Sequence, residues 1–228
     1  MNIIYEILSG SHAYGTNIPE SDRDVRGIWL PKMEEYLGMK DPEEIRDNTE
    51  DTVYFPIRKF FLLAKACNPN ILEWLWMPAH CVLKIAPEGA LIVKNRDLFV
   101  SAKRIYDAFR GYAQSEFLAV SSVNKKTGAK RKRDIEKFGF SPKNAMNMVR
   151  LMEEGIEYLE TGGITLPRSN ADYLLAIKRG EVSYEEIAGR YNELNNHMVD
   201  AYGESKVQKN NDYDKINDLL VNIIKETR

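Results

Sequence analysis

The sequence predicts an α+β fold, with a small mixed β-sheet lobe and flanking helices over residues 1–100 and an α-helical lobe over residues 101–228. Three observations support this division. A short apolar run at residues 3–8 stops at a serine and a glycine, as a buried strand does before a tight turn. Residues 52–57 are rich in β-branched and aromatic side chains, which is typical of another strand. From about Ser101 onward the strand patterns vanish, and apolar residues recur at three- and four-residue steps.

The composition favours a globular protein. Hydrophobic residues make up 43% and charged residues 29% of the 228 residues, which is enough apolar material for a packed core. The net charge of −2 gives no global positive field, so nucleic-acid binding would depend on a local basic patch. Two cysteines are too few for a disulfide framework, and we predict that both are reduced and structural. No signal sequence or membrane-spanning run is found, which predicts a cytoplasmic protein without a membrane partner.

The end of the first predicted strand has the pattern of a phosphate-binding turn. Gly10 can adopt a positive φ or bring its backbone amide close to a ligand. Ser11 can open a short helix, whose first backbone N–H groups have no partner within the helix. Backbone N–H groups in this position attract phosphate oxygens. We therefore predict that Gly10 and Ser11 contact the phosphates of a ligand.

Two aspartates precede the second predicted strand, which covers residues 25–29. In an extended segment Asp22 and Asp24 point to the same side. Neighbouring carboxylates repel each other unless a proton or a cation lies between them. A divalent metal such as Mg²⁺ or Mn²⁺ binds one or two carboxylates together with phosphate oxygens. The turn and the two aspartates together predict a metal-bound nucleoside triphosphate (NTP) and a nucleotidyl transfer reaction.

A third carboxylate is expected near the strand at residues 52–57, after a polar loop over residues 41–51. On the two-residue period of a strand, Asp51 shares a face with Val53 and Phe55. Glu50 shares the opposite face with Thr52 and Tyr54. Either residue fits the role on this reasoning alone.

The remaining elements follow from apolar spacing and helix-capping signals. We predict helices at residues 58–66 and 70–75, with Trp74 and Trp76 in the core, then an edge strand at 81–86 and a helix beginning at Pro87. The second lobe has amphipathic helices around residues 109–120 and 148–159. A capping box at Ser183 opens another helix toward Tyr202, and a final helix covers residues 214–226.

These motifs resemble the DNA polymerase beta-like nucleotidyltransferase superfamily, whose signature is a Gly-Ser turn followed by Asp-x-Asp. The resemblance is closest to the RNA repair pathway nucleotidyltransferases, and it is strong over the N-terminal third of the chain. It rests on Gly10-Ser11-His12-Ala13-Tyr14-Gly15, Ser21-Asp22-Arg23-Asp24-Val25-Arg26-Gly27, Arg58-Lys59-Phe60 and Asn68-Pro69-Asn70 with Glu73.

The resemblance implies a role for each residue that matches the motif. Asp22 and Asp24 would bind the catalytic and nucleotide metals. Asp51 would be the third metal-binding carboxylate and would help to deprotonate the attacking hydroxyl. Ser11 and the backbone amides around it would hold the terminal phosphates of the NTP.

Three basic residues are candidates for nucleotide binding. Arg26 lies two residues after Asp24 on the same face, and it fits either an ion pair with the aspartates or a contact to the nucleotide. Lys59 begins a helix inside the resembled motif and fits either a phosphate contact or an ordinary exposed lysine. Lys143 belongs to the helical lobe, and we expect it to reach the nucleotide if its helix borders the active cleft.

A basic run in the helical lobe is relevant to the identity of the acceptor. Lys130, Arg131, Lys132 and Arg133 stand within residues 125–137, where only two acids occur. Such a run fits either contact with a polynucleotide backbone or a solvated loop. We predict transfer of a nucleoside monophosphate from an NTP to an acceptor hydroxyl, with an RNA end as a candidate acceptor. The alternative is a non-catalytic module of the same fold that binds a nucleotide or a partner.

Overall fold

The computed structural model describes residues 1–47, 49, 51–123 and 127–226. The chain forms two compact units. Unit 1 comprises Met1–Val100, Thr165–Ser169 and Asn210–Arg228, and unit 2 comprises Ser101–Ile164 and Asn170–Lys209. Residues 165–169 and 210–228, which the sequence analysis assigned to the helical lobe, therefore cluster with unit 1.

The sheet of unit 1 is mixed, as the sequence predicted. Its strands lie in the order β3-β4-β2-β1-β5. Strands β2 and β4 are parallel, and the other neighbouring pairs are antiparallel. The strand bounds are Asn2–Leu8 for β1, Val25–Leu30 for β2, Ile45–Asp47 for β3, Thr52–Pro56 for β4 and Val82–Ile85 for β5.

Strand β3 lies inside the segment that was predicted to be a loop, so that prediction was wrong over residues 45–47. The strand has three residues, all exposed, and it pairs with β4 at the edge of the sheet. An edge strand with no buried face has no alternation of apolar and polar residues to reveal it. Its pairing with β4 depends on backbone hydrogen bonds, which the side-chain pattern does not report.

Two helices of unit 1, at Ile57–Lys65 and Pro87–Lys94, pack against strands of this sheet. The predicted helix at residues 70–75 is a short α-helix that continues as a 3₁₀ turn at Glu73–Trp76. Further 3₁₀ turns lie at Ala79–Cys81 and Arg96–Phe99. The α-helices are α1 (Ser11–Tyr14), α2 (Met33–Leu37), α3 (Ile57–Lys65), α4 (Pro69–Leu72), α5 (Pro87–Lys94) and α11 (Tyr213–Glu226).

The core of unit 1 contains the aromatic cluster that the sequence predicted. Trp74 is 2% exposed, and its ring stacks on Phe55 and Phe60 with centroid distances of 5.6 and 5.7 Å. The Tyr5 hydroxyl donates a hydrogen bond of 2.8 Å to the Trp74 carbonyl oxygen and so ties β1 to the 3₁₀ turn. Cys67 and Cys81 are both buried, and neither forms a disulfide; their structural role stays a prediction.

Unit 2 is built from helices around the long helix α8. Helices α6 and α10 pack against α8, and α9 packs against it as well. The predicted capping box is confirmed, because Ser183 Oγ accepts from Glu186 N at 3.2 Å and Glu186 Oε2 accepts from Ser183 N at 3.0 Å. Over the described part of the chain, no helix has both the length and the apolar character needed to span a membrane. The helices are α6 (Ala102–Ser121), α7 (Ala129–Phe138), α8 (Pro142–Thr161), α9 (Ala171–Arg179) and α10 (Tyr184–Glu204).

Gly155 allows α8 to approach its neighbours closely. A Cβ atom at this position would lie 2.9 Å from the Phe109 Cβ of α6 and would also meet the Met198 side chain of α10. We expect Gly155→Ala to lower the free energy of unfolding by about 1–3 kcal/mol, because the packed helices must move apart. Gly111→Ala in α6 is the matched control, since its Cβ would meet nothing within 4 Å. The control should stabilise the protein by up to about 1 kcal/mol through helix propensity. Denaturant unfolding of both variants measures the difference, and equal effects would contradict the packing role.

Candidate active site

The turn at Gly10, which follows β1, brings the backbone into close contact with Asp24, which precedes β2. The Ser9 N–H donates to the Asp24 carbonyl oxygen at 2.9 Å, which holds the two chain segments together. Gly10 has φ of +67° and ψ of −138°, a conformation that residues with a side chain rarely adopt. A Cβ atom on Gly10 would lie 2.5 Å from Asp24 Oδ2. Only glycine therefore satisfies both the backbone geometry and the space at this turn.

The parallel pairing of β2 with β4 places two predicted carboxylates side by side. Val25 pairs with Thr52, so Asp24 and Asp51 directly precede the N-terminal ends of two neighbouring strands. Their side chains share a hydrogen bond. Arg26 Nη2 lies 3.3 Å from Asp24 Oδ1 and 3.0 Å from Asp51 Oδ1. Arg26 Nη1 also donates to the Asp51 carbonyl oxygen. Of its two predicted roles, Arg26 thus makes the ion pair here, and contact with a nucleotide remains a prediction.

The two carboxylates have unequal proton affinities. Burial raises the pKa of Asp24, and the hydrogen bond to Asp51 and the nearby charges of Asp51 and Asp22 raise it further, while Arg26 opposes them. The hydrogen bond from Asp24 holds the pKa of Asp51 below its ordinary value, and Arg26 lowers it too. The pair therefore favours a state in which Asp24 keeps the proton longer and Asp51 is ionised.

These residues line one side of a cavity of about 370 Å³ in unit 1. Charged and polar groups from the turn and from the ends of β2 and β4 form part of its wall. Apolar and aromatic residues from β4, α4 and the 3₁₀ turn form another part. The lining residues are Ser9, Gly10, Tyr14, Asp24, Arg26, Arg46, Asp51, Val53, Phe55, Asn70, Ile71, Glu73 and Trp74.

Two predicted site residues stand next to the cavity without lining it. Ser11 is the first residue of α1, directly after Gly10. Asp22 is exposed, and its charge reaches Asp24 strongly enough to raise the pKa of that carboxyl. The loop before Asp22 is fixed by Ser21, whose Oγ accepts from Ile18 N at 2.9 Å. Glu50, the alternative third carboxylate, lies outside the described residues.

The donor set at Asp24 and Asp51 fits a hard divalent cation. Two carboxylates in contact supply the oxygen ligands that Mg²⁺ and Mn²⁺ prefer, and a cation between them would remove the repulsion of their charges. Within the described ranges, no group of three or more His, Cys, Asp or Glu side chains is gathered as a complete metal site. A phosphate-bearing ligand could supply oxygens that complete such a site.

Among the contacts of the described residues, neither predicted lysine pairs with Asp24 or Asp51. Lys59 forms an ion pair with Glu44, and its Nζ lies 5.3 Å from the centroid of the Phe55 ring. It therefore approaches the aromatic part of the cavity wall. Lys143 is exposed in the first turn of α8, in unit 2. Its predicted contact with a nucleotide stays a prediction.

The basic run occupies a helix and not a loop. Residues 130–133 belong to α7, where Lys130, Lys132 and Arg133 are exposed. Arg131 Nη2 donates to the carbonyl oxygens of Ala119 and Ser122 at the end of α6, with a distance of 2.7 Å to Ser122. Arg131 thus satisfies carbonyl groups that the helix end leaves without partners. Lys125 and Lys126 lie outside the described residues.

The cavity also contains a carboxylate to which the sequence analysis gave no role. Glu73 is only 3% exposed, and the Tyr14 hydroxyl donates to both of its carboxylate oxygens at 2.9 Å. The signal was present in the sequence, because Glu73 is the one charged residue in the apolar run at residues 71–76. A charged side chain seldom enters such a run unless it is paired or functional.

Comparisons with known proteins agree with this architecture. The sequence profile of the RlaP family, described as the RNA repair pathway DNA polymerase beta family, matches residues 1–222. The chain is 38% identical over 82 residues to the uncharacterized protein YcgL of Bacillus subtilis (strain 168), covering 33% of this chain and 30% of that protein. It is 24% identical over 185 residues to an uncharacterized 38.9 kDa protein, encoded in the nrdC-mobD intergenic region of Enterobacteria phage T4, covering 75% of this chain and 51% of that protein. The matched region thus spans about a third to a half of these relatives' lengths.

The contact between Gly10 and Asp24 is open to a direct test. We expect Gly10→Ala to lower the free energy of unfolding by about 1–3 kcal/mol from backbone strain, with a further loss because the new Cβ must displace the Asp24 carboxylate. Gly139→Ala is the control, because Gly139 has φ of +80° and a Cβ there would meet nothing within 4 Å. Denaturant unfolding should show a larger loss for Gly10→Ala. Equal losses would mean that the Asp24 carboxylate moves away from the new Cβ atom at no cost in free energy.

Proposed function

Because the chain belongs to the RNA repair pathway DNA polymerase beta family, we propose that it transfers a nucleoside monophosphate from an NTP to an acceptor hydroxyl and releases pyrophosphate. Membership of this family supports a nucleotidyltransferase in general. The observation that carries the more specific reaction is the contact between Asp24 and Asp51, placed against the Gly10 turn in one cavity.

We propose that Asp22, Asp24 and Asp51 hold Mg²⁺ or Mn²⁺ together with phosphate oxygens of the nucleotide. When bound, the metal would stabilise the negative charge that develops on the attacking and leaving oxygens. The exposed position of Asp22 and the contact between Asp24 and Asp51 are compatible with this role, since together they present carboxylate oxygens to a cation. Glu50 remains an alternative to Asp51.

The chain's own residues then have separate tasks in the transfer. The backbone at Gly10 and the Ser11 hydroxyl hold the terminal phosphates, which places the α-phosphorus near the aspartates. The acceptor oxygen forms a bond to the α-phosphorus while the bond to pyrophosphate breaks, and Asp51 accepts the proton of the acceptor. Arg26 can exchange its carboxylate partners for a phosphate oxygen, because a guanidinium binds both groups in the same geometry.

Further contacts are proposed for the basic residues. Lys59 would bind the nucleotide from the aromatic part of the cavity, and Lys143 is kept as a further proposed nucleotide contact. An RNA end is the proposed acceptor, and the exposed charges of Lys130, Lys132 and Arg133 on α7 support this choice. Their side chains extend from one helix and can reach successive phosphates of a flexible strand.

The metal-dependent nucleotide site can be tested by thermal unfolding. With Mg²⁺ present and an NTP at about a hundredfold excess over its Kd, the free energy of unfolding should rise by about 2.7 kcal/mol. Asp22→Asn combined with Asp24→Asn should abolish this gain and the transfer of a labelled nucleoside monophosphate, because both changes remove proposed metal ligands.

A control variant separates this effect from a simple change of charge. Asp214→Asn combined with Asp218→Asn changes the net charge by the same amount at exposed positions of α11 in unit 1. This variant should respond to Mg²⁺ and the NTP as the parent does. If the Asp22 and Asp24 variant also responded like the parent, the nucleotide would bind elsewhere.

The RNA acceptor can be tested through the salt dependence of binding. Replacing Lys130, Lys132 and Arg133 by Gln should weaken binding of single-stranded RNA and reduce the slope of log K against log salt by about 2, since each lost phosphate contact contributes roughly 0.7. Arg131 is kept because it contacts carbonyls of α6. NTP binding should not change.

The matched control replaces the same number of charges at other exposed positions of unit 2, Lys103, Lys206 and Lys209. It should leave the slope close to that of the parent. An unchanged affinity and slope in the α7 variant would exclude RNA contact by this helix and would favour a protein or a small molecule as the acceptor.

A further inference from the structure

Glu73 also lines the cavity, but its burial and its hydrogen bonds differ from those of Asp24 and Asp51. It lies in the 3₁₀ turn after α4 and lines the cavity, although only 3% of its surface is exposed. Burying a carboxylate costs solvation free energy unless hydrogen bonds or charges compensate for it. The Tyr14 hydroxyl contributes by donating to both oxygens, and this contact also fixes the direction of the carboxylate.

Glu73 belongs to the apolar and aromatic part of the cavity wall. The next residue, Trp74, stacks on Phe55, and both rings line the cavity. Phe55 lies four residues beyond Asp51, which directly precedes β4, so the chain between them spans at most about 13 Å. Val53 lies between them in the chain and also lines the cavity. Along β4 the lining thus runs from a carboxylate to an aromatic ring, over a length that accommodates a nucleoside with its phosphate near Asp51 and its base near Phe55.

The chemistry of Glu73 selects among the bases. An ionised carboxylate only accepts hydrogen bonds, and its two oxygens lie side by side and can accept from several donors at once. Guanine presents two adjacent donors, N1–H and the 2-amino group, that match this pair of oxygens. Adenine and cytosine each place a ring nitrogen acceptor beside their amino group, which a carboxylate repels. Uracil offers a single N–H between two carbonyl oxygens.

We propose that Glu73 is a specificity-determining residue that binds the base of a guanine nucleotide through N1–H and the 2-amino group, with Tyr14 as the residue that positions it. This assignment rests on the proposed function, because it takes the cavity to be the nucleotide site. It adds the identity of the substrate, GTP, to that function.

Binding of four nucleotides in the presence of Mg²⁺ tests the assignment, with intrinsic tryptophan fluorescence or calorimetry as the readout. The parent protein should bind GTP about 10- to 100-fold more tightly than ITP, which lacks only the 2-amino group, because a hydrogen bond to a charged acceptor is lost. ATP should bind more weakly than GTP. XTP, in which a 2-oxo group replaces the 2-amino group, should also bind weakly, because two acceptors would then face each other.

The substitution Glu73→Gln should reverse this order. An amide presents one acceptor and one donor, which matches the N1–H and 2-oxo groups of xanthine, so the variant should prefer XTP to GTP. A gain of XTP binding cannot arise from misfolding. Glu34→Gln, which makes the same chemical change at an exposed position of α2, should keep the preference for GTP.

The outcomes separate this inference from the proposed function. If the parent binds NTPs but does not distinguish GTP from ITP, or if Glu73→Gln keeps the preference for GTP, Glu73 does not bind guanine, and the nucleotidyltransferase proposal stands without it. If no NTP binds in the presence of Mg²⁺, the proposed function fails, and the assignment of Glu73 fails with it.

Discussion

The parallel pairing of β2 with β4 is the constraint on which the candidate site depends. It sets Asp24 and Asp51 beside each other at the N-terminal ends of these two strands, although 27 positions separate them in the sequence. The register also brings Arg26 next to Val53, so that its guanidinium lies within reach of both carboxylates. A shift of one residue would move all of these side chains to the opposite face. The site is therefore a consequence of strand order and register, and the loops only complete it.

The electrostatics of the site follow from this placement. Two carboxylates in contact would repel each other, and two features relieve the repulsion: the raised pKa of Asp24, which favours its protonated form, and the ion pairs of Arg26 with both groups. Neither means of neutralisation is permanent, since a proton can leave and a guanidinium on a long side chain can change partners. A ligand that brings positive charge can therefore take the place of the proton, and a ligand that binds the guanidinium can take Arg26 away from the carboxylates.

Much of this arrangement was visible in the sequence, because it depends on local signals. The glycine turn, the Asp-x-Asp segment and the alternation in β4 each report their own geometry, and the mixed sheet with a helical region follows from them. Strand β3 was missed because an exposed edge strand has no apolar side to mark it. Residues that act through tertiary contacts were also missed. The bond from Tyr14 to Glu73 joins positions 59 residues apart, and Arg131 appeared to be one of four equivalent charges until its contact with α6 was seen.

Unit 1 is formed by three separate segments of the chain, and this constrains how the protein can evolve. Helix α11 packs on α3, and Asn211 Nδ2 donates to the Lys65 carbonyl oxygen at 2.7 Å, so the last part of the chain belongs to the same unit as the first. A recombination event with a single breakpoint near residue 100 would separate α3 from a helix that packs on it. Inheritance of residues 1–100 as an independent gene segment is therefore disfavoured, while insertions into unit 2, whose two segments both lie between parts of unit 1 in the sequence, leave unit 1 intact.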